Sequence, residues 1–215
     1  MVLQRIWILK KSKNHGNKQV YLLESNEETL KMFPFEFKLY VTYTITDNIL
    51  STQYKVINTG NETMIFGIGG HPGIKIDVTK EHFFELEQEE NDLEFMEVEG
   101  SFISNDPAEN LLENKKIIKI KSDSFINDAI MMKNLKSRTI TLKQKKDNKK
   151  VLEFDFSEFP ILAIWTMPKA PFICLEPWFN TADKVIETGY FKDKEGIMNL
   201  KPNEEFKCKF SVKFF

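Results

Sequence analysis

The chain has 215 residues and a mass of 25.2 kDa, and its 41% apolar content with 19 phenylalanines suffices for a sizeable buried core. Its 30 basic and 32 acidic side chains leave a formal net charge of −2, which excludes the clustered basic excess that nucleic-acid binding draws on. Only two basic residues, Arg5 and Arg138, are arginines, so forks for a phosphate or carboxylate are scarce and neutral substrates are favoured.

From the N-terminus, Met1 to Lys13 holds a short apolar stretch with no preceding basic region and no small-residue cleavage site, and no run approaches a membrane span. A soluble, cytoplasmic chain without a membrane partner is expected. Ser25, with Glu28 three residues on, reads as a capping box for a short helix that Pro34 stops. From Phe37 the period is two: Phe37, Leu39, Val41, Tyr43 and Ile45 alternate with Lys38, Tyr40, Thr42, Thr44 and Thr46, a strand. Asp47-Asn48 turns the chain into a second alternating face, Leu50, Thr52, Tyr54 and Val56. Asn58 to Asn61 turns it again into Thr63 to Ile68, which predicts a three-stranded antiparallel meander.

Eight acidic residues follow: Glu85, Glu87, Glu89, Glu90, Asp92, Glu94, Glu97 and Glu99. They read as a solvated strand or loop face; the competing reading is a metal site, and carboxylates without inward geometry are ordinary surface. Asp106 to Asn110 suggests a single helical turn. Further strands are predicted at Ile117 to Lys121, Arg138 to Lys143, Val151 to Phe156, Ile161 to Thr166, Phe172 to Leu175 and Phe206 to Phe214. The last has Phe206, Cys208, Phe210, Val212 and Phe214 on one face and a wet face opposite. Without a repeat or a linker, the pattern predicts an all-β chain, a β-sandwich forming a single domain over residues 1–215. Cys174 and Cys208 sit in apolar or alternating contexts without disulfide or zinc spacing, and both are expected reduced and packed.

Three histidines are candidates for chemistry. His15 lies in a polar turn and is expected to be exposed, and His82 borders the acidic stretch without an obvious task. His71 closes Met64-Ile65-Phe66-Gly67-Ile68-Gly69-Gly70 and precedes Pro72. An apolar strand end between a glycine pair and a proline is a rigid platform, and an imidazole's unperturbed pKa suits a general acid near neutrality. A structural histidine at a strand end is the competing reading. Glu176 follows Phe172-Ile173-Cys174-Leu175 and precedes Pro177-Trp178; a carboxylate after four apolar strand residues is partly desolvated and becomes a stronger base. A strand-end carboxylate facing water is the alternative. Trp178 offers an apolar face on which a sugar can stack.

These segments together resemble the aldose 1-epimerase, or galactose mutarotase-like, family. Glu28 to Leu39 is similar to its "ETL…PF.F.L.V.Y" segment, Met64 to Pro72 to its "F.IGGHP", Phe125 to Ile130 to its "DA", Leu135 to Arg138 to its "L.SR", and Ala170 to Trp178 to its "PF.C.EPW". The match runs in order from about Glu28 to the C-terminus. The resemblance implies a galactose mutarotase-like supersandwich of large twisted antiparallel sheets with a concave carbohydrate site, and an enzyme interconverting the anomers of an aldohexose. By position His71 is the general acid on the ring oxygen, Glu176 the base for the anomeric hydroxyl, and Asp128 a partner for sugar hydroxyls. The pair is expected to face one cleft, on opposite sides of a pyranose lying between them. The reaction needs neither a metal nor a redox cofactor.

Relative to the family, an N-terminal portion of several strands is expected to be missing, together with a second histidine; Met1 to Arg5 retains the arginine of that segment, which makes Arg5 a candidate sugar contact. A sheet edge left bare would recruit a second copy, so a homodimer through Met1 to Leu9 or Lys38 to Thr46, and reduced activity, are expected. The alternatives are a non-catalytic or degenerate carbohydrate-binding module of the same fold and, ranked below it because arginine is scarce, a hexose-6-phosphate 1-epimerase.

Overall fold

Period-two alternation builds sheets with one buried face, and strands of that kind make up most of this chain. The structure, a computed structural model, describes residues 10–77, 80–99, 102–106, 108–120, 124–125, 128–167, 170–186 and 188–215. In chain order the strands are β1 (Lys10–His15), β2 (Lys18–Glu24), β3 (Phe37–Thr46), β4 (Ile49–Asn58), β5 (Met64–Phe66), β6 (Gly73–Lys75), β7 (His82–Leu86), β8 (Glu94–Met96), β9 (Val98–Glu99) and β10 (Phe102–Ile103). They continue as β11 (Leu112–Glu113), β12 (Ile117–Lys119), β13 (Ile130–Lys133), β14 (Thr139–Gln144), β15 (Lys150–Asp155), β16 (Ile161–Trp165), β17 (Phe172–Trp178), β18 (Met198–Leu200) and β19 (Glu205–Phe214).

Ten of these form one antiparallel sheet in the order β1-β2-β3-β4-β19-β15-β14-β7-β12-β11, and five form a second in the order β6-β17-β16-β13-β8. The two face each other across a core to which the large sheet sends Phe84, Leu86, Ile140, Leu142, Leu152, Phe154, Phe210 and Val212. The small sheet answers with Ile130, Met132, Leu162, Ile164, Ile173 and Leu175. Each fully buried side chain of this size stabilises by about 1.5–3 kcal/mol relative to exposure, so this layer holds the sandwich together. The fold is all-β with large antiparallel sheets, as the sequence implies.

Several local readings change. The meander does not continue into β5: the C-terminal β19 lies beside β4, pairing from Glu205↔Ile57 to Lys213↔Ile49, and β5 pairs with β18 instead. Asn58 explains the departure, because its buried amide donates to Glu62 O at 2.7 Å and Leu200 O at 2.8 Å, which draws the chain away from the sheet. β3 is paired on both sides, by β2 and β4, so Lys38 to Thr46 is not a free edge and cannot recruit a partner by strand addition; Met1 to Leu9 lies outside the described residues. The helix is one turn, α1 (Glu27–Leu30), and its cap is Asn26 rather than Ser25. Asn26 Oδ1 accepts from Glu28 N and Thr29 N, and Thr29 Oγ1 accepts from Asn26 N at 2.8 Å. Ser25 Oγ instead accepts from Phe37 N, and the described residues of 106–110 are not helical.

The acidic stretch is also more than a wet face. Glu90 is 3% exposed and its carboxylate accepts from Lys136 N at 3.0 Å and Ser137 N at 2.7 Å, while Glu87 accepts from Arg138 N. These carboxylates tie the loop before β14 to the chain after β7, because buried backbone N–H groups without a strand partner need an acceptor. Both cysteines are free and buried. His82 is half-buried on β7, and burial lowers its pKa. No helix among the described residues is long and apolar enough to cross a membrane.

Candidate active site

The small sheet buries both faces of its central strands, which is why Ile161 to Trp165 and Phe172 to Leu175 read as continuous apolar runs. Its inner face fills the core. On its outer face Met131 and Ala163 pack with Ile103 of the β9–β10 hairpin and with Trp178 and Ala182. The rest of that face carries the candidate site. β17 does not end at Leu175 but runs through Pro177 to Trp178, so alternation directs Cys174, Glu176 and Trp178 to the same side, opposite to Ile173 and Leu175.

His71 reaches this side through the chain preceding β6. Gly73 pairs with Cys174 and Gly69 bridges Trp178, and the same register continued between them sets His71 opposite Glu176. Gly70 N donates to Pro177 O at 2.9 Å and Leu175 N to Pro72 O at 3.3 Å, fixing the backbone on both sides of the histidine. The Gly69-Gly70 pair is required by close packing: a Cβ on Gly69 would stand 2.4 Å from Trp178 Cδ1, and one on Gly70 2.7 Å from the Phe210 ring. Trp178 Nε1 donates to Gly70 O at 3.2 Å, so the indole N–H is spent on holding this loop and the half-buried ring remains as an apolar wall.

His71 Nε2 and Glu176 Oε1 lie 3.3 Å apart, the histidine side chain 59% exposed and the carboxylate side chain 3% exposed. The two groups therefore stand side by side rather than on opposite sides of a cleft, contrary to the expectation from sequence, and the pair is open to solvent on the His71 side. Trp165 meets the imidazole edge to face, with ring centroids 6.0 Å apart and planes at 78°, and so limits its tilt. Burial pushes the Glu176 carboxyl up from its ordinary 4.5 to about 8, with a further contribution from the negative charge of Asp128. Desolvation disfavours the charged form, and a nearby like charge adds to it. Asp128 is exposed and sits at φ 103°, a backbone region that costs a non-glycine residue strain and that clusters at functional sites.

His71, Glu176 and Trp178 thus converge on one side of the small sheet, Asp128 is linked to them by its charge acting on Glu176, and Arg5 lies outside the described residues. From sequence, Trp165 is not singled out and Cys174 reads only as a packed thiol. Cys174 Sγ joins the donor atoms of His71 and Glu176 within 4.8 Å of one another, the one metal-capable group among the described residues; the acidic stretch supplies none. Burial, then the neighbouring Glu176, pushes the Cys174 thiol up to about 11. Extending the predicted strand by one residue, through Glu176, would have exposed the two-residue spacing that puts Cys174 beside it.

The fold, large antiparallel sheets with almost no helix, matches that of galactose mutarotase-like proteins. A galactose mutarotase related enzyme from Lactobacillus acidophilus superposes with a TM-score of 0.86 at 27% identity, over 96% of this chain and 71% of that one. A galactose mutarotase-like protein from Lactobacillus casei ATCC 334 gives 0.85 at 26% identity, over 96% and 73%. The model of the aldose 1-epimerase family matches residues 1–213, and the chain belongs to that family. Protein LacX of Lactococcus lactis subsp. lactis is 31% identical over 208 residues, 91% of this chain and 68% of LacX. The general function is accordingly of the epimerase or mutarotase kind.

Proposed function

We propose that this chain is an aldose 1-epimerase that interconverts the α and β anomers of a free aldohexose by opening and closing the hemiacetal ring. The observation that carries the reading is the contact of His71 Nε2 with Glu176 Oε1 at 3.3 Å, one partner exposed and the other buried. The anomeric hydroxyl and the ring oxygen are both bonded to C1, so an acid and a base in contact reach both oxygens from the same side. Glu176, as carboxylate, takes the proton of the C1 hydroxyl while His71 delivers its Nε2 proton to the ring oxygen; the bond from C1 to the ring oxygen breaks and an open-chain aldehyde results. Rotation about the bond between C1 and C2 presents the other carbonyl face. Ring closure then returns each proton: His71 takes one from the attacking hydroxyl, and Glu176 gives one to the new anomeric oxygen.

Burial supports the base role, since a carboxyl titrating near 8 is a stronger base than one at 4.5. Asp128 holds sugar hydroxyls and Trp178 supplies the apolar wall against the ring. A reaction of this balance needs no redox step. Polarimetry on freshly dissolved α-glucose and α-galactose tests the proposal: the expected result is catalysed relaxation of optical rotation above the spontaneous rate. A rate equal to the buffer's for both sugars overturns it and favours a sugar-binding module.

A further inference from the structure

The proton-transfer pair has a third neighbour that anomer interconversion does not use. Cys174 lies two residues before Glu176 on the same side of β17, and the donor atoms of His71, Cys174 and Glu176 fall within 4.8 Å of one another. A nitrogen donor from the segment before β6 and a sulfur and an oxygen donor from β17 are the ligand types of a tetrahedral zinc site with an open fourth position. Bonds of about 2.0–2.3 Å from zinc to such donors put neighbouring ligands roughly 3.5 Å apart. His71 and Glu176 are already at 3.3 Å, and the thiol has to close by no more than about 1.3 Å, within reach of a side-chain rotation.

Access is provided from the side of His71, which is exposed. Cys174 is buried between its two strand neighbours, Trp165 and Gly73, and Gly73 puts no side chain over the sulfur; a Cβ there would stand 3.8 Å from it. The Trp165 ring against His71 and the paired backbone of β17 hold two of the ligands in place before any ion arrives, which lowers the ordering cost of coordination.

We infer that His71 Nε2, Cys174 Sγ and the Glu176 carboxylate form a binding site for a thiophilic divalent cation of the Zn²⁺ class, and that the bound ion silences the acid–base pair. Coordination displaces the Cys174 thiol proton and any proton on the Glu176 carboxyl to solvent, leaves the imidazole proton on Nδ1 so that the Nε2 lone pair binds the ion, and engages the carboxylate. Neither group can then exchange a proton with a sugar. Oxygen-seeking ions of the Mg²⁺ and Ca²⁺ kind find one carboxylate and no second oxygen ligand in this set, so the site discriminates against them. The silencing rests on the proposed anomerase reading; the coordination does not.

Co²⁺ titration of the purified chain separates the two. Wild type is expected to develop a cobalt–thiolate charge-transfer band and visible bands of tetrahedral intensity at one equivalent, both abolished by Zn²⁺ and unaffected by Mg²⁺. Cys208→Ala, which removes the other thiol from the core, is expected to keep the band. Cys174→Ala and His71→Asn are each expected to weaken Co²⁺ binding at least about 100-fold, beyond the roughly 10- to 100-fold that the loss of a group behind the ligands costs, and Cys174→Ala to lose the charge-transfer band. Absence of the band in wild type, or its persistence in Cys174→Ala, overturns the site. In polarimetry, Zn²⁺ is expected to suppress wild-type turnover reversibly by chelator and to leave the Cys174→Ala rate at least about 10-fold less sensitive. Equal Zn²⁺ sensitivity of the two overturns the silencing while the cobalt spectrum still decides the site.

Discussion

Two glutamates of this chain are almost equally buried, Glu90 at 3% and Glu176 at 2%, and their surroundings give them opposite roles. Glu90 is met by two backbone N–H groups that have no strand partner, so its carboxylate is a fixed acceptor that closes a loop. Glu176 has a single polar contact among the described residues, an exposed imidazole, and a like charge nearby, so its carboxyl is pushed to about 8. Burial alone therefore says little about function. A buried carboxylate with its hydrogen bonds satisfied is structural, and one left short of donors beside a proton carrier is poised to exchange protons.

The comparison breaks most visibly in turnover. Glu176→Gln and His71→Asn should each lower kcat/KM by roughly 10²-fold or more, the usual scale for a lost proton-transfer group, whereas Glu90→Ala should stay within about 3-fold of wild type, the ordinary scatter of such effects at a distance from the chemistry. Polarimetry on all three variants checks this, and full activity in Glu176→Gln would mean that the base is misassigned.

In stability the ranking reverses. Glu90→Ala leaves two backbone donors without their acceptor and should cost about 1–3 kcal/mol in urea unfolding. For Glu176 the sign follows from its raised pKa. The folded chain holds the proton more tightly than the unfolded one, so the carboxyl's contribution is fully present below 4.5 and is lost as pH rises through about 8. Glu176→Gln should therefore gain stability relative to wild type across that window, read from thermal melts at successive pH values, and a constant difference would contradict the assignment.

The pH profile of activity sharpens the same point. Wild-type kcat/KM should climb as pH rises toward about 8, as the Glu176 carboxylate forms, and Asp128→Asn should shift that limb to lower pH by removing the like charge. The same variant gives the smallest effect expected, a KM increase of about 2- to 10-fold from one lost hydrogen bond to the sugar, with kcat at the pH plateau little changed. A limb unmoved by Asp128→Asn would remove Asp128 from the neighbourhood of the base.

Local pattern determined much of this protein. Alternation over 37–46 and 206–214 fixed β3 and β19 because period two is a property of the strand itself, and the ordered segments around His71, Asp128 and Glu176 pointed to the family. What the sequence could not carry was decided by contacts between distant parts. Nothing local says that β19 inserts beside β4, that Asn58 bonds across to Leu200, or that Glu90 folds inward onto the loop before β14. The helix cap fell one residue from its expected place because Phe37 N claimed the Ser25 hydroxyl. The site divides in the same way. Glu176 and His71 stood out as residues, but their 3.3 Å contact, the Trp165 edge against the imidazole and the sulfur of Cys174 beside both arise from the register between the Gly69–Lys75 segment, β17 and β16. Register is set by which buried faces must meet across a sheet, and that is a property of the assembled sandwich rather than of any one segment.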